Sequence, residues 1–177
     1  MHYRFYPELD STNEEAKRLY YAKSYPVIPL TIIADQQTKG KGSHGKSWYS
    51  ENQGGLYYTL ILSPENFIHE NTASYIYQAA LIVGQIIYRT ISLSPTIKRP
   101  NDLLLNGKKI CGILMETVGN KPEYVIIGVG LNINQTKFPY ELQNMATSLK
   151  IETQKTYSKD TVIQDLSKEL IHVFKRH

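Results

Sequence analysis

Ala34-Asp35-Gln36-Gln37-Thr38-Lys39-Gly40-Lys41-Gly42-Ser43-His44-Gly45-Lys46-Ser47-Trp48-Tyr49-Ser50 is the stretch around which the rest of the chain is arranged. An apolar, β-branched run, Leu30 to Ala34, leads into three glycines interleaved with lysines, a serine and a histidine. Glycines at that density let backbone N–H groups approach a ligand closely. The lysines add positive charge, so the stretch reads as an anion-binding loop suited to phosphate. Residues Gly40 to Ser47 also satisfy the Walker A pattern G-x-x-x-x-G-K-[ST]. That motif works only between a strand and a helix, whose N-terminus shares in holding the phosphates. Here Trp48-Tyr49-Ser50 leads instead to Gly54-Gly55 and the strand-like Leu56 to Leu62. Adjacent glycines and an aromatic, β-prone run are poor helix material. A phosphate-loop NTPase is therefore the distant alternative.

Outward from the loop, the chain reads as one domain over residues 1–177. That length buries a core without disulfide or metal staples. A net charge of +4 suits an acidic or phosphate-bearing ligand, but the lysines form no basic run of the nucleic-acid kind. A single cysteine leaves no internal disulfide and fits a reducing compartment. No signal-peptide core opens the chain, and its most apolar stretch, Ala79 to Ile87, is too short to span a bilayer. The expected location is the cytoplasm, with no membrane partner.

His2 to Tyr6 reads as a strand. Ser11 and Glu14 have the spacing of a capping box before a helix running to about Lys23 and stopped by Pro26 and Pro29. Strands are expected over Leu30–Ala34 and Leu56–Leu62, the second closed by Pro64. Ala73, Ile76, Ala80, Val83, Ile87 and Ile91 recur at three- and four-residue steps, which predicts a helix over 72–91 with those residues inward. Leu103–Leu105, Asn106-Gly107 and Lys108–Glu116 read as a hairpin on a two-residue turn. A further strand runs from Glu123 through Gly128-Val129-Gly130-Leu131-Asn132. A polar linker is expected near Glu152–Lys155, then a helix over 159–174 with Val162, Leu166, Leu170 and Val173 inward and Lys175 and Arg176 at its end. Three helices among hairpins predict an α+β domain on a largely antiparallel mixed sheet.

Three further places carry chemistry. Lys98-Arg99-Pro100-Asn101-Asp102 puts a polar pair at the entrance of a strand, where Asp102 is a candidate for Mg²⁺ or a nucleotide hydroxyl, oriented by Asn101. Lys109, if it points inward, faces whatever the glycine loop holds, and Gly112 lets a ligand lie close to the sheet. Asn132 sits as a polar residue in a glycine-bearing apolar strand and is a ligand-contact candidate. The histidines lack metal-ligand spacing, and Cys111 reads as a small core residue.

Taken in order, Ser11-Thr12-Asn13, Gln37-x-x-Gly40-Lys41-Gly42-x-x-Gly45-Lys46-x-Trp48-x-Ser50, Gly54-Gly55-Leu56-Tyr57, Lys98-x-Pro100-Asn101-Asp102, Lys109-Ile110-x-Gly112-Ile113-Leu114-x-Glu116 and Gly128-x-Gly130-x-Asn132 resemble the catalytic domain of biotin protein ligases. The resemblance spans most of the chain. It implies the fold shared with lipoate ligases and class II aminoacyl-tRNA synthetases, and two reactions. Biotin and Mg-ATP give biotinyl-5′-AMP, and the biotinyl group then passes to a lysine of a biotin carboxyl carrier protein. It implies Lys109 and Lys41 as catalytic cations. It implies Ser11, Thr12, Asn13, Gln37, Gly40, Trp48, Gly54, Gly55, Lys109 and Gly112 around biotin. Lys41, Gly42, Gly45, Lys46, Asn101, Asp102 and Asn132 fall around the nucleotide, with Asp102 at Mg²⁺. The family usually carries arginines where this chain has Lys41, Ser43 and Lys46, and a tryptophan in place of Arg99. With neither the family's N-terminal DNA-binding helices nor its small C-terminal β-domain, the expectation is a catalytic domain alone, acting as monomer or homodimer without DNA. A lipoate–protein ligase and a degenerate paralogue that binds biotin without turnover are the nearer alternatives.

Overall fold

The computed structural model describes residues 1–22, 28–50, 54–63, 71–119 and 123–174. Seven strands form one sheet: β1 (His2–Leu9), β2 (Leu30–Gln37), β3 (Gly55–Leu62), β4 (Thr96–Lys98), β5 (Asp102–Leu105), β6 (Lys108–Val118) and β7 (Tyr124–Asn132), in the order β1-β2-β3-β7-β6-β5-β4. Only β1 and β2 pair in parallel; the other pairs are antiparallel. This is the largely antiparallel mixed sheet that the hairpin signals predict. The β5–β6 turn is the expected two-residue connection. Asn106 (φ 49°) and Gly107 (φ 78°) both lie in the left-handed region, which is why asparagine and glycine stand there.

Helices cover both faces. Alternation along β3 sends Leu56, Tyr58, Leu60 and Leu62 to the main core, with Ile127 and Val129 of β7. Against this face pack α2 (Thr72–Ile91) and α4 (Lys159–Phe174). The Tyr58 hydroxyl meets Ser167 Oγ at 3.0 Å, satisfying both polar groups inside that layer. The opposite face carries α1 (Thr12–Tyr21), whose Ala16 and Leu19 pack on Leu30, Ile32, Ile61 and Ile126. Each buried leucine or isoleucine here contributes roughly 1.5–3 kcal/mol. Helix α1 covers only part of its face, and the uncovered part is where the candidate site lies.

Locally the chain departs from these expectations. Ser11 is the residue before α1, but its side chain makes no capping bond, and Glu14 turns to Lys17 and Lys41. Strand β2 continues past Ala34 to Gln37, because its last residues pair with β1. The inward face of α2 holds the expected Ala80, Val83 and Ile87, with Ile76 and Ile91 packed against the core; Tyr75, Ala79, Ile82 and Ile86 join them, while Ala73 is exposed. The polar linker begins inside a fourth helix, α3 (Leu149–Thr153), capped by Ser148 Oγ accepting from the Ile151 N–H at 3.0 Å. The expected helix stop at Lys23 and Pro26, the break at Pro64 and the charges of Lys175 and Arg176 lie outside the described residues. No helix among the described residues is long and apolar enough to cross a membrane.

Candidate active site

The glycine loop folds back on itself as a small hairpin. The Trp48 N–H donates to Gly40 O (2.8 Å), the Gly42 N–H to Lys46 O (2.7 Å), and a single 3-10 turn over Ser43–Gly45 closes the tip. The chain then enters β3, so the helix that a Walker A loop requires does not follow. Asn101 ties the loop to the sheet through Ser43 Oγ (3.3 Å) and Ile113 O (3.1 Å). Its side chain is thus turned to the loop and does not orient Asp102.

Under the hairpin, three strand glycines make a floor. A Cβ on Gly130 would fall 2.5 Å from the Trp48 indole, and one on Gly112 2.8 Å from it. A Cβ on Gly128 would collide with the Asn13 amide. Trp48 therefore rests directly on backbone, which no residue with a side chain would permit. Its indole N–H is buried without a hydrogen-bond partner, a donor available to a ligand.

Two cavities meet at this ring. The inner one, about 40 Å³, is lined by Ser11, Thr12, Asn13, Gln37, Lys41 and Gly42 with the glycine floor. A space of that size holds a few waters, so a ring-sized ligand needs one of its walls to move. The outer one, about 420 Å³, is lined by Lys46, Asp102, Asn132, Phe138 and Met145. Trp48 and Lys109 line both.

Lys109 stands at the junction because of a β-bulge. Leu103 pairs with Cys111 but Leu104 with Lys109, so Ile110 is an extra residue in β6. A bulge re-aims side chains. Ile110 and Cys111 both go into the core, and Lys109 swings onto the face of Gly112. Its Nζ lies 2.7 Å from Asp102 Oδ1 and 5.2 Å from the centre of the Trp48 ring. The backbone of Lys109 is clamped by Met145 O (2.7 Å) and the Thr147 N–H (2.9 Å). Asp102 is a single carboxylate, and the described residues contain no cluster of three metal-binding side chains.

The polar end of the inner cavity is held by α1 and β2. Gln37 Oε1 accepts from the Thr12 N–H (2.8 Å) and Oγ1 (3.1 Å). The Gln37 N–H is anchored on Ser50 Oγ at 2.7 Å. Lys41 leaves the loop to pair with Glu14 at 2.9 Å, and Glu14 also takes Lys17 at 2.9 Å. The Lys41 ammonium, then that of Lys17, holds Glu14 below the usual carboxylate range. Burial alone would depress Lys17, but hydrogen bonds to Glu116 and Glu14 outweigh it and leave the amine above its ordinary value.

The candidate residues come from six separated segments, and the fold gathers most of them around this one face. Gly45 and Lys46 stay exposed at the loop tip. Gly54 and Gly55 lie at the mouth of β3, where Gly54 O accepts from the Asn134 N–H (2.6 Å). Asn132 is buried as a strut, donating to Thr147 O (2.9 Å) and accepting from Gln135 (3.0 Å). Cys111 is a fully buried core residue, and burial pushes its thiol well up. Tyr57 lines the inner cavity, and Thr59, Lys17 and Glu116 stand behind its polar wall through Thr12, Asn13 and Glu14; none of the four is a candidate in the sequence. The signals are slight: a threonine inside the apolar run of β3, and a glutamate after the apolar Ile113-Leu114-Met115 of β6.

The pattern of the biotin/lipoate A/B protein ligase family matches residues 7–132. The chain is 35% identical over 169 residues to the bifunctional ligase/repressor BirA of Bacillus subtilis, covering 93% of this chain and 51% of that one. It is 32% identical to the biotin–[acetyl-CoA-carboxylase] ligase of Paracoccus denitrificans, covering 73% of this chain and 53% of that one. The chain thus spans about half the length of these relatives. Among solved structures, the biotin protein ligase of Aquifex aeolicus in complex with biotin and ATP superposes with a TM-score of 0.84 at 31% identity. That match covers 99% of this chain and 71% of the other. A lipoate protein ligase from Thermoplasma acidophilum, at 12% identity and a TM-score of 0.64, shares the fold alone.

Proposed function

Because the chain belongs to the biotin/lipoate A/B protein ligase family, we propose that it is an ATP-dependent biotin–protein ligase acting through the face described above. The observation that carries this reading is Lys109, set by its bulge where the two cavities meet, above the glycine floor and beside Asp102. The inner cavity offers hydrogen-bonding groups to a ureido head group, and the outer one has the size and the cations for a nucleotide.

In the first reaction a biotin carboxylate oxygen attacks the α-phosphorus of ATP. The bond to the bridging oxygen breaks, and pyrophosphate leaves. Lys109 holds the two anions together and offsets charge building on the phosphoryl oxygens, a contribution of about 3–4 kcal/mol for a pre-set donor. In the second, a lysine amine of the acceptor attacks the acyl carbon, AMP leaves and the amine loses a proton. Trp48 and the loop over the floor keep water from the mixed anhydride in between. Asp102, one carboxylate beside a phosphate site, fits the usual way a magnesium ion is shared between protein and nucleotide. Such an ion supplies charge neutralisation on the phosphates. The acceptor in this reading is a biotin carboxyl carrier protein, the compartment is the cytoplasm, and the chain works as monomer or homodimer without DNA.

Exchange of labelled pyrophosphate into ATP tests the proposal, with biotin or lipoate as the acid. Exchange is expected with biotin alone, falling 10²–10³-fold in a folded Lys109→Ala variant. Exchange driven by lipoate and not biotin would move the chain to lipoate ligation. Binding of biotin without any exchange would make it a degenerate paralogue.

A further inference from the structure

Thr59 is fully buried in β3, and its hydroxyl faces two oxygens, Thr12 Oγ1 at 2.8 Å and Asn13 Oδ1 at 2.7 Å. Thr12 Oγ1 in turn lies 3.1 Å from Gln37 Oε1. Each hydroxyl carries one proton, so three oxygen–oxygen contacts share two protons. The row is one proton short. Asn13 could supply the third by turning its amide and presenting Nδ2 to Thr59. Glu116 prevents this. Its Oε2 accepts from Asn13 Nδ2 at 2.8 Å, and a turned amide would set oxygen against a carboxylate. The other carboxylate oxygen is held by Lys17 at 2.6 Å.

We propose that Glu116 is a positioning residue for substrate selection: by locking the Asn13 amide it keeps the Thr59–Thr12–Gln37 row short of a proton, so that the pocket favours a head group that donates N–H. The inference rests on the biotin reading and deepens it. Gln37 Oε1 already accepts the Thr12 backbone N–H, so a ligand N–H placed on Thr12 Oγ1 frees the Thr12 hydroxyl proton for Thr59, and every oxygen in the row then has a donor. The selecting residue itself never touches the ligand. Its effect reaches the pocket through the direction of one amide.

The test uses Glu116→Gln in the full chain, with biotin and biotin methylated on both ureido nitrogens as probes in calorimetry. The glutamine amide can donate to a turned Asn13, which then donates to Thr59 and completes the row without ligand. Biotin is expected to bind about tenfold more weakly, or about 1.4 kcal/mol. Its preference over the methylated analogue should shrink by the same factor. ATP affinity and kcat at saturating biotin should stay as in the wild type, so the change falls on KM for biotin. Lys17→Met removes the ion pair but not the amide lock and is expected to keep the wild-type preference. Should Glu116→Gln not fold, Asn13→Ala removes the surplus acceptor and is expected to lose the preference in the same way. An unchanged preference in Glu116→Gln overturns the inference alone. So does an equal loss of biotin, analogue and ATP binding, or a Lys17→Met that behaves like Glu116→Gln. A wild-type chain that does not bind biotin overturns the biotin reading and this inference with it.

Discussion

Asp10 and Arg18 fasten the start of α1, the turn from which Ser11, Thr12 and Asn13 reach the cavity. Two hydrogen bonds of 2.7 and 2.8 Å join them, and Asp10 Oδ1 also accepts the Ser11 N–H at 2.7 Å. The guanidinium lowers the Asp10 carboxyl from its ordinary 3.8 to about 2, against a smaller opposing effect of burial. A depressed carboxyl contributes stability that is fully present above its unfolded pKa and lost as pH falls through the folded one. The pair therefore works above about pH 4 and fades towards pH 2. It is exposed and screened, so its contribution is about 1 kcal/mol or less. Urea titrations of wild type and Arg18→Gln should differ by that amount at pH 7 and converge by about pH 2; a constant gap would mean that Arg18 acts by packing. At this scale the sequence was informative about residue types. Thr12, Gln37 and Lys109 carry the groups such chemistry needs. It was silent about partners: nothing in the text of the chain joins Asn13 to Glu116, more than a hundred residues on, at 2.8 Å.

Strand β7 shows what glycine contributes at the scale of an element. Gly128 and Gly130 weaken the strand locally, since glycine in a strand costs roughly 0.5–1 kcal/mol relative to alanine. In exchange they lie flat under Asn13 and Trp48. Gly130→Ala should leave the melting temperature unchanged or lower it slightly, because its methyl pushes the indole off the floor. KM for biotin is then expected to rise at least about tenfold, and a variant with wild-type KM would show that the indole does not define the pocket. The glycines of β7 were visible in the sequence as an anomaly in an apolar strand. The bulge in β6 was not. In a regular strand Lys109 and Gly112, three apart, point to opposite faces, and only the extra residue Ile110 brings them together. Ile110 looks like any core isoleucine, so no local signal marks it. The periodicity that marks α2 also gives most of its inward face: Ala80, Val83 and Ile87 are buried and Ile76 and Ile91 pack against the core, whereas Tyr75 and Ala79 bury and Ala73 is exposed.

For the whole molecule, the mixture of hairpins and helices was enough to give the class, and the turn at Asn106-Gly107 gave one pairing outright. What composition could not give was the order of the sheet. Strand β7 is hydrogen-bonded on one side to its neighbour in sequence, β6, and on the other to β3, about seventy residues earlier. That pairing divides the chain into a short-range meander, β5–β6–β7, and an early half, β1–β3, that must find it. Contacts between distant segments cost loop-closure entropy before they return anything, so they form late and set the rate of folding. In refolding followed by pulsed hydrogen exchange, amides of β6 and β7 that bond to each other should be protected before those linking β3 to β7; simultaneous protection would argue for a single nucleus spanning both halves. The candidate face has its floor in the late half and its loop in the early one. It therefore cannot exist in any partly folded chain. Trp48, the only tryptophan, reaches Gly112 and Gly130 at that last joining, so its fluorescence times the birth of the site.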